Sequence, residues 1–152
     1  MKRRTENIIG TSAFWFYFLS FTVGLPMSIL GCIVAIIMLL SGYKAKIYNR
    51  CICFTCGKYS GFTLGCFIFV GKHCGEKLLQ HELGHAIQNC MYGLFMPFIV
   101  AIPSFFRYHY RRFYVRKLHK RLHSSYESIW YEAEATALGK DYAKRLTTVK
   151  NK

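Results

Sequence analysis

The chain has 152 residues, which suits one domain, or a small domain joined to a membrane anchor. Apolar residues make up 53% and aromatic residues 17%, rich for a soluble chain of this size, yet the net charge is +14. A DNA-binding domain has little use for so many apolar residues, so nucleic acid is not the expected partner, and the balance fits a protein lying against an anionic membrane face.

A short basic tail carrying Lys2, Arg3 and Arg4 comes first. Residues 14–40 then run 27 positions without a charge. About 20 apolar residues cross a bilayer, so this run is expected to be an N-terminal transmembrane helix, kinked at Gly24-Leu25-Pro26. It is too long for a signal-peptide core, and Leu39-Leu40-Ser41-Gly42 is a poor cleavage site. Counted from Ser41 onward there are 18 Lys and Arg against three before the run, which leans towards a cytoplasmic C-terminal part.

Seven cysteines, an odd number, are scattered through apolar stretches, the pattern of reduced thiols rather than of a disulfide scaffold. Cys51, Cys53 and Cys56 follow the apolar run. Cys53-x-x-Cys56 has the spacing of a zinc knuckle that His73-Cys74 could complete, and buried or juxtamembrane thiols are the competing reading. Residues 59–71 are β-branched and aromatic between glycines, so one strand, or a tight pair hinged at Gly65, is expected there. Such a strand could hold an extended peptide by its edge, or simply cover one side of the core.

Residues 75–92 read as one helix containing His81-Glu82-Leu83-Gly84-His85. Positions i and i+4 share a helix face, so His81 and His85 can bind one metal ion. Glu82 is then placed to take a proton from water at that metal. Residues 91–106 are 16 uncharged positions interrupted by Pro97 and Pro103, the pattern of an apolar segment dipping into a bilayer or of a buried core helix. Residues 107–121 pack seven Lys and Arg with four Phe and Tyr and no acid, which suits a helix on anionic headgroups; a solvated linker is the plainer alternative.

Ser124-Ser125-Tyr126-Glu127 has capping-box spacing and opens a last helix from Tyr126 to about Leu146. Within it, Glu132 and Glu134 stand among small and apolar residues, in a chain with only seven acids. A third metal ligand is what a His-Glu-x-x-His site lacks, and a helical Glu is a usual way to supply it.

His81-Glu82-Leu83-Gly84-His85, followed by Glu132-Ala133-Glu134-Ala135-Thr136, resembles the membrane-bound gluzincin metallopeptidases of the HtpX-like and CaaX prenyl protease-like kinds. The stretch from Tyr59 to Gly139 is also similar to small uncharacterised bacterial membrane proteins with a Gly-Phe-x-Leu-Gly strand, a His-Glu-x-Gly-His helix and an Ile-Pro-Ser segment. The gluzincin resemblance implies that His81, His85 and Glu132 ligate Zn2+ and that Glu82 is the general base. It departs at Thr136, where the pattern has an Asp that orients a ligand histidine; such partners matter 10–100-fold, so the exchange bears on activity more than on metal binding. His109, His119, His123, Tyr126 and Tyr131 are the candidates for stabilising the transition state.

The expectation is therefore a mainly α membrane protein with a small β element, an N-terminal transmembrane helix and a compact zincin-like helical core. Residues 1–42 form the tail and anchor, 43–146 the metallopeptidase domain with its dipping segment 91–106, and 147–152 a basic tail. The expected activity is zinc-dependent endopeptidase action on a peptide or membrane-protein substrate, at the cytoplasmic side of a bacterial cytoplasmic membrane. The alternatives are an inactive zinc-binding membrane scaffold, or a metal-free basic module that binds membrane surfaces.

Overall fold

The structure, a computed structural model, describes residues 12–58, 60–118 and 129–150. The basic N-terminal tail, the capping box at 124–127, His119, His123 and Tyr126 lie outside the described residues.

The apolar run forms two helices, α1 (Ala13–Phe21) and α2 (Leu25–Leu40), bent 92° from each other. Pro26 sits in the first turn of α2, where it has no N–H to return to the Thr22 carbonyl, so α1 cannot continue through it. The Gly24 N–H closes the end of α1 on the Leu19 carbonyl at 2.9 Å. The expected N-terminal transmembrane helix is thus absent: no single helix among the described residues is long and apolar enough to cross a membrane.

Buried polar contacts hold the bend. Ser28 donates to the Ser20 carbonyl at 2.6 Å, and the Ser20 hydroxyl lies 3.2 Å from the Cys90 thiol. Phe16 and Ala35 belong to the same buried cluster as Phe54, Phe69, Leu83 and Tyr142, so both helices pack into the core. Their outer faces leave Phe14, Phe18, Ile29, Ile33, Ile36 and Leu40 exposed.

Four short strands follow: β1 (Ala45–Tyr48), β2 (Cys51–Thr55), β3 (Gly61–Leu64) and β4 (Phe67–Val70), in the order β1-β2-β4-β3. β1 and β2 are antiparallel, β2 and β4 parallel, β4 and β3 antiparallel. Residues 59–71 supply the β3–β4 pair, hinged at Gly65, whose φ of +63° favours glycine. β1 and β2 were not expected. They turn through Asn49 and Arg50, both at positive φ, as a two-residue hairpin loop requires.

The stacked rings of Phe54, Phe69 and Phe62 run across β2, β4 and β3, with centroids 5.5 and 4.8 Å apart. Side chains alternate across a strand, so Thr63 and Ile68 face the other way. Helix α2 covers the phenylalanine side, where a Cβ on Gly31 would lie 2.6 Å from the Phe67 ring.

Helix α3 (Glu76–Tyr92) packs on the opposite face of the sheet and ends at Gly93, whose φ is +54°. A 3-10 turn (Gly93–Phe95) and a π turn (Pro97–Ala101) then lead into α4 (Ile102–Leu118), and the chain bends by 116° between Glu76–Phe95 and Pro97–Val115. The 91–106 segment is therefore not a core helix. Met96 and Val100 are buried with Met27 and Tyr131, whereas Leu94, Phe95, Phe98, Phe105 and Phe106 are exposed. The last helix, α5 (Trp130–Lys150), runs past the expected end near Leu146 and packs along α3.

The thiols separate by depth. Burial raises Cys51, pushes Cys66 up to about 12 and Cys90 up to about 11. Access to the reagent then sets the order, and in the native protein maleimide should label partly buried Cys56 and Cys74 well before the buried Cys51, Cys66 and Cys90. Peptide mapping of a labelling time course checks this order; equal rates at both sets would contradict the packing.

Candidate metal centre

Helix α3 delivers His81, Glu82 and His85 to a place where the sheet, α4 and α5 meet. At Gly84 and Gly139 the backbones of α3 and α5 meet with no side chain between them. A Cβ on Gly84 would lie 1.8 Å from the Ala135 carbonyl oxygen, and one on Gly139 would lie 1.6 Å from that of Gln80. This approach brings Glu132, wholly buried at 0% exposure, to the two imidazoles. Its Oε2 lies 3.1 Å from Nε2 of His81 and 3.3 Å from Nε2 of His85. Four-coordinate zinc, with bonds of about 2.0–2.2 Å, sets neighbouring ligand atoms about 3.4 Å apart, so the spacing fits.

The hydrogen bonds around the trio indicate which atoms are left for a cation. Ser104, on α4, donates to Oε1 of Glu132 at 2.6 Å, while Oε2 is buried without a hydrogen-bond partner. Nδ1 of His81 lies 2.8 Å from the Thr136 hydroxyl, and Nδ1 of His85 lies 2.8 Å from Oε1 of Gln88. Each histidine thus has its Nδ1 engaged and its Nε2 turned to Glu132. Glu132 Oε2 therefore faces two ring nitrogens, each an ion-pair partner when protonated. Burial pushes the Glu132 carboxyl up, but His81, His85 and Ser104 outweigh it and hold it well below the usual carboxylate range. Burial pulls His85 down, yet Glu132, Glu82 and Gln88 outweigh it and raise it. This buried His81, His85 and Glu132 group could hold a metal ion.

Glu82 is also buried. The Thr63 hydroxyl, from β3, reaches its Oε2 at 2.7 Å or its backbone carbonyl at 3.0 Å. Gly61 leaves room for Oε1, since a Cβ there would lie 2.7 Å away. Burial raises the Glu82 carboxyl; His85, Thr63 and His81 act against it without cancelling the rise.

No protein-family model, curated protein or solved structure matches the chain.

His81, His85 and Glu132 are therefore brought together, with Glu82 beside them and Thr136 behind His81. The cysteine knuckle is not: among the described residues, no other group of three or more His, Cys, Asp and Glu could hold an ion. Cys53 lies within extended β2, where residues three apart point to opposite faces, instead of on a turn that would aim Cys53 and Cys56 at one ion. Among the candidates for stabilising the transition state, Tyr131 is buried next to Glu132, where burial and Glu132 raise its phenol against Arg107 and Ser104. His109 packs on Phe105, with centroids 4.3 Å apart.

Three site residues escaped the sequence reading. Gln88 follows His85 by three positions on the same helix face, a signal that was available. Ser104 and Thr63 lie in the matched Ile-Pro-Ser and Gly-Phe-x-Leu-Gly patterns, but their roles arise from tertiary packing and nothing local gives them. Loss of the Ser104 hydroxyl strands a buried carboxylate oxygen, and hydrogen bonds to charged groups are worth about 1.5–3 kcal/mol. Ser104→Ala should therefore lower the metal-free folding stability by about that amount in denaturant titration; an unchanged midpoint would show that Ser104 does not support Glu132.

Proposed function

We propose that the protein is a zinc-dependent endopeptidase working at a lipid surface. The observation that carries this reading is the trio of His81, His85 and Glu132 at zinc spacing, with the buried Glu82 carboxylate in the adjoining position on α3. Two histidines and a glutamate suit Zn2+, which prefers four-coordinate sites of nitrogen and oxygen donors. Zinc bound there supplies a Lewis acid that acidifies water and polarises a carbonyl.

The chain's own residues do the rest. Glu82, whose carboxyl burial raises, accepts the proton of the attacking water on its carboxylate and hands it to the leaving amine. Thr63 holds Oε2, which leaves Oε1 as the oxygen to take that proton. Ser104 holds Oε1 of Glu132, leaving Oε2 for the metal. Strand β3, which among the described residues pairs only with β4, borders Glu82 and offers its outer edge to an extended peptide.

The lipid partner is supported by the two bent apolar helix pairs. Gly93, at the second bend, packs against Val23, at the first, where an added Cβ would lie 2.2 Å from the valine side chain. Around these adjoining bends Phe21, Val23, Leu94, Phe95 and Phe98 are exposed. Basic α4 follows directly, complementary to anionic headgroups.

The test is metal-dependent cleavage of an unstructured polypeptide by purified protein with anionic vesicles. Chelation should abolish cleavage and zinc should restore it. No cleavage by the zinc-loaded protein, or cleavage indifferent to chelator, would remove the peptidase reading.

A further inference from the structure

The two histidines are backed differently, and the difference reaches beyond the metal trio. Behind His81 stands the Thr136 hydroxyl. Behind His85 stands a chain of groups. Gln88, wholly buried, turns its amide nitrogen to the Tyr131 carbonyl at 2.8 Å and to Oε2 of Glu134 at 3.0 Å. A backbone carbonyl can only accept, so this end of the amide must be the NH2, and the end facing His85 must be the oxygen. An amide oxygen also only accepts, so Nδ1 of His85 carries the hydrogen of their 2.8 Å bond. A neutral His85 then has its lone pair on Nε2, the atom 3.3 Å from Glu132 Oε2. The Tyr92 hydroxyl donates to the same Glu134 oxygen from the far side, which fixes the carboxylate in place.

We propose that Gln88 and Glu134 form a positioning relay that fixes His85 as the Nδ1–H tautomer and strengthens Nε2 as a metal ligand. The negative charge of Glu134 polarises the Gln88 amide, which places more charge on the oxygen facing the imidazole N–H. A carboxylate that would ordinarily stand directly behind a ligand histidine acts here through one intervening amide. The relay supplies a negative charge behind His85. Neither relay residue touches the metal ligand atoms or a substrate. The proposal rests on the metal-centre reading above.

The test is titration of the metal-free full chain with Co2+, following its visible absorption and measuring affinity by chelator competition. Wild type, His85→Ala, Glu134→Gln and Gln88→Leu are compared. Glu134→Gln keeps the shape and a hydrogen bond to Gln88 and removes only the charge. It should weaken Co2+ binding about 10-fold and shift the absorption band, with the thermal midpoint of the metal-free protein unchanged. Gln88→Leu should weaken binding about 10–100-fold. If Gln88→Leu does not fold, the Glu134→Gln result decides alone. Unchanged affinity and an unchanged band in Glu134→Gln would overturn the relay while His85→Ala still abolishes binding. Wild type that takes up no Co2+ would overturn the metal centre and the relay with it.

Discussion

Glu82→Gln should abolish peptide hydrolysis and leave metal binding intact. The substitution preserves the volume of a buried side chain, and its amide oxygen can still accept from Thr63 at the position now occupied by Oε2. What it loses is the capacity to take a proton. General acid–base groups contribute about 10²–10⁴-fold, so kcat/KM should fall by at least about 100-fold while KM changes little. Because Glu82 is not among the ligand atoms facing Glu132, zinc content should stay at the wild-type level. The measurement is kcat/KM on a cleaved peptide alongside zinc per chain. Activity above a tenth of wild type would show that Glu82 is not the base.

Gly84→Ala should both destabilise the fold and disable the metal centre. Its Cβ would stand 1.8 Å from the Ala135 oxygen, 2.4 Å from its carbonyl carbon and 2.8 Å from its Cα. All three are backbone atoms, so no rotamer change relieves the clash, and α3 and α5 must separate. Alanine gains about 1 kcal/mol of helix propensity over glycine, whereas overpacking costs about 1–3 kcal/mol and more where the neighbour cannot yield. The balance is a loss of stability. Separation of the helices also withdraws Glu132 from His81 and His85, so metal binding should fail in any fraction that folds. Thermal melting and a metal titration of Gly84→Ala check both parts. A variant with wild-type melting and full metal binding would show that the helices are not in contact there.

The legibility of this molecule follows the range of the interactions. His81, Glu82 and His85 were readable because one helical turn fixes their geometry without help from the rest of the chain. The need for glycine at Gly84, inside the motif, and at Gly139 became clear only with α3 and α5 in contact. Glu132 was chosen by chemical need and resemblance, with Glu134 beside it as the rival. The structure gives the two carboxylates different places, Glu132 facing the imidazole nitrogens and Glu134 lying behind Gln88.

The 14–40 run misled because composition is the same whether an apolar chain runs straight or turns. The turn depends on Pro26 together with tertiary contacts, the Ser28–Ser20 bond and the seat of Gly24 on Asn89. The strands β1 and β2 went unread for another reason. Arg50 is an unusual residue at positive φ, so the hairpin lacks the Asn-Gly or Asp-Gly signature, and the cysteines of β2 suggested a metal knuckle when they are buried strand residues.

The central claim, that His81, His85 and Glu132 form one metal centre, is tested most directly by elemental analysis of the purified full chain. Wild type should hold one zinc per chain, lost in His81→Ala and in Glu132→Ala and kept in the Cys53→Ala/Cys56→Ala double variant. Zinc absent from wild type after reconstitution, or lost only with the two cysteines, would contradict the account.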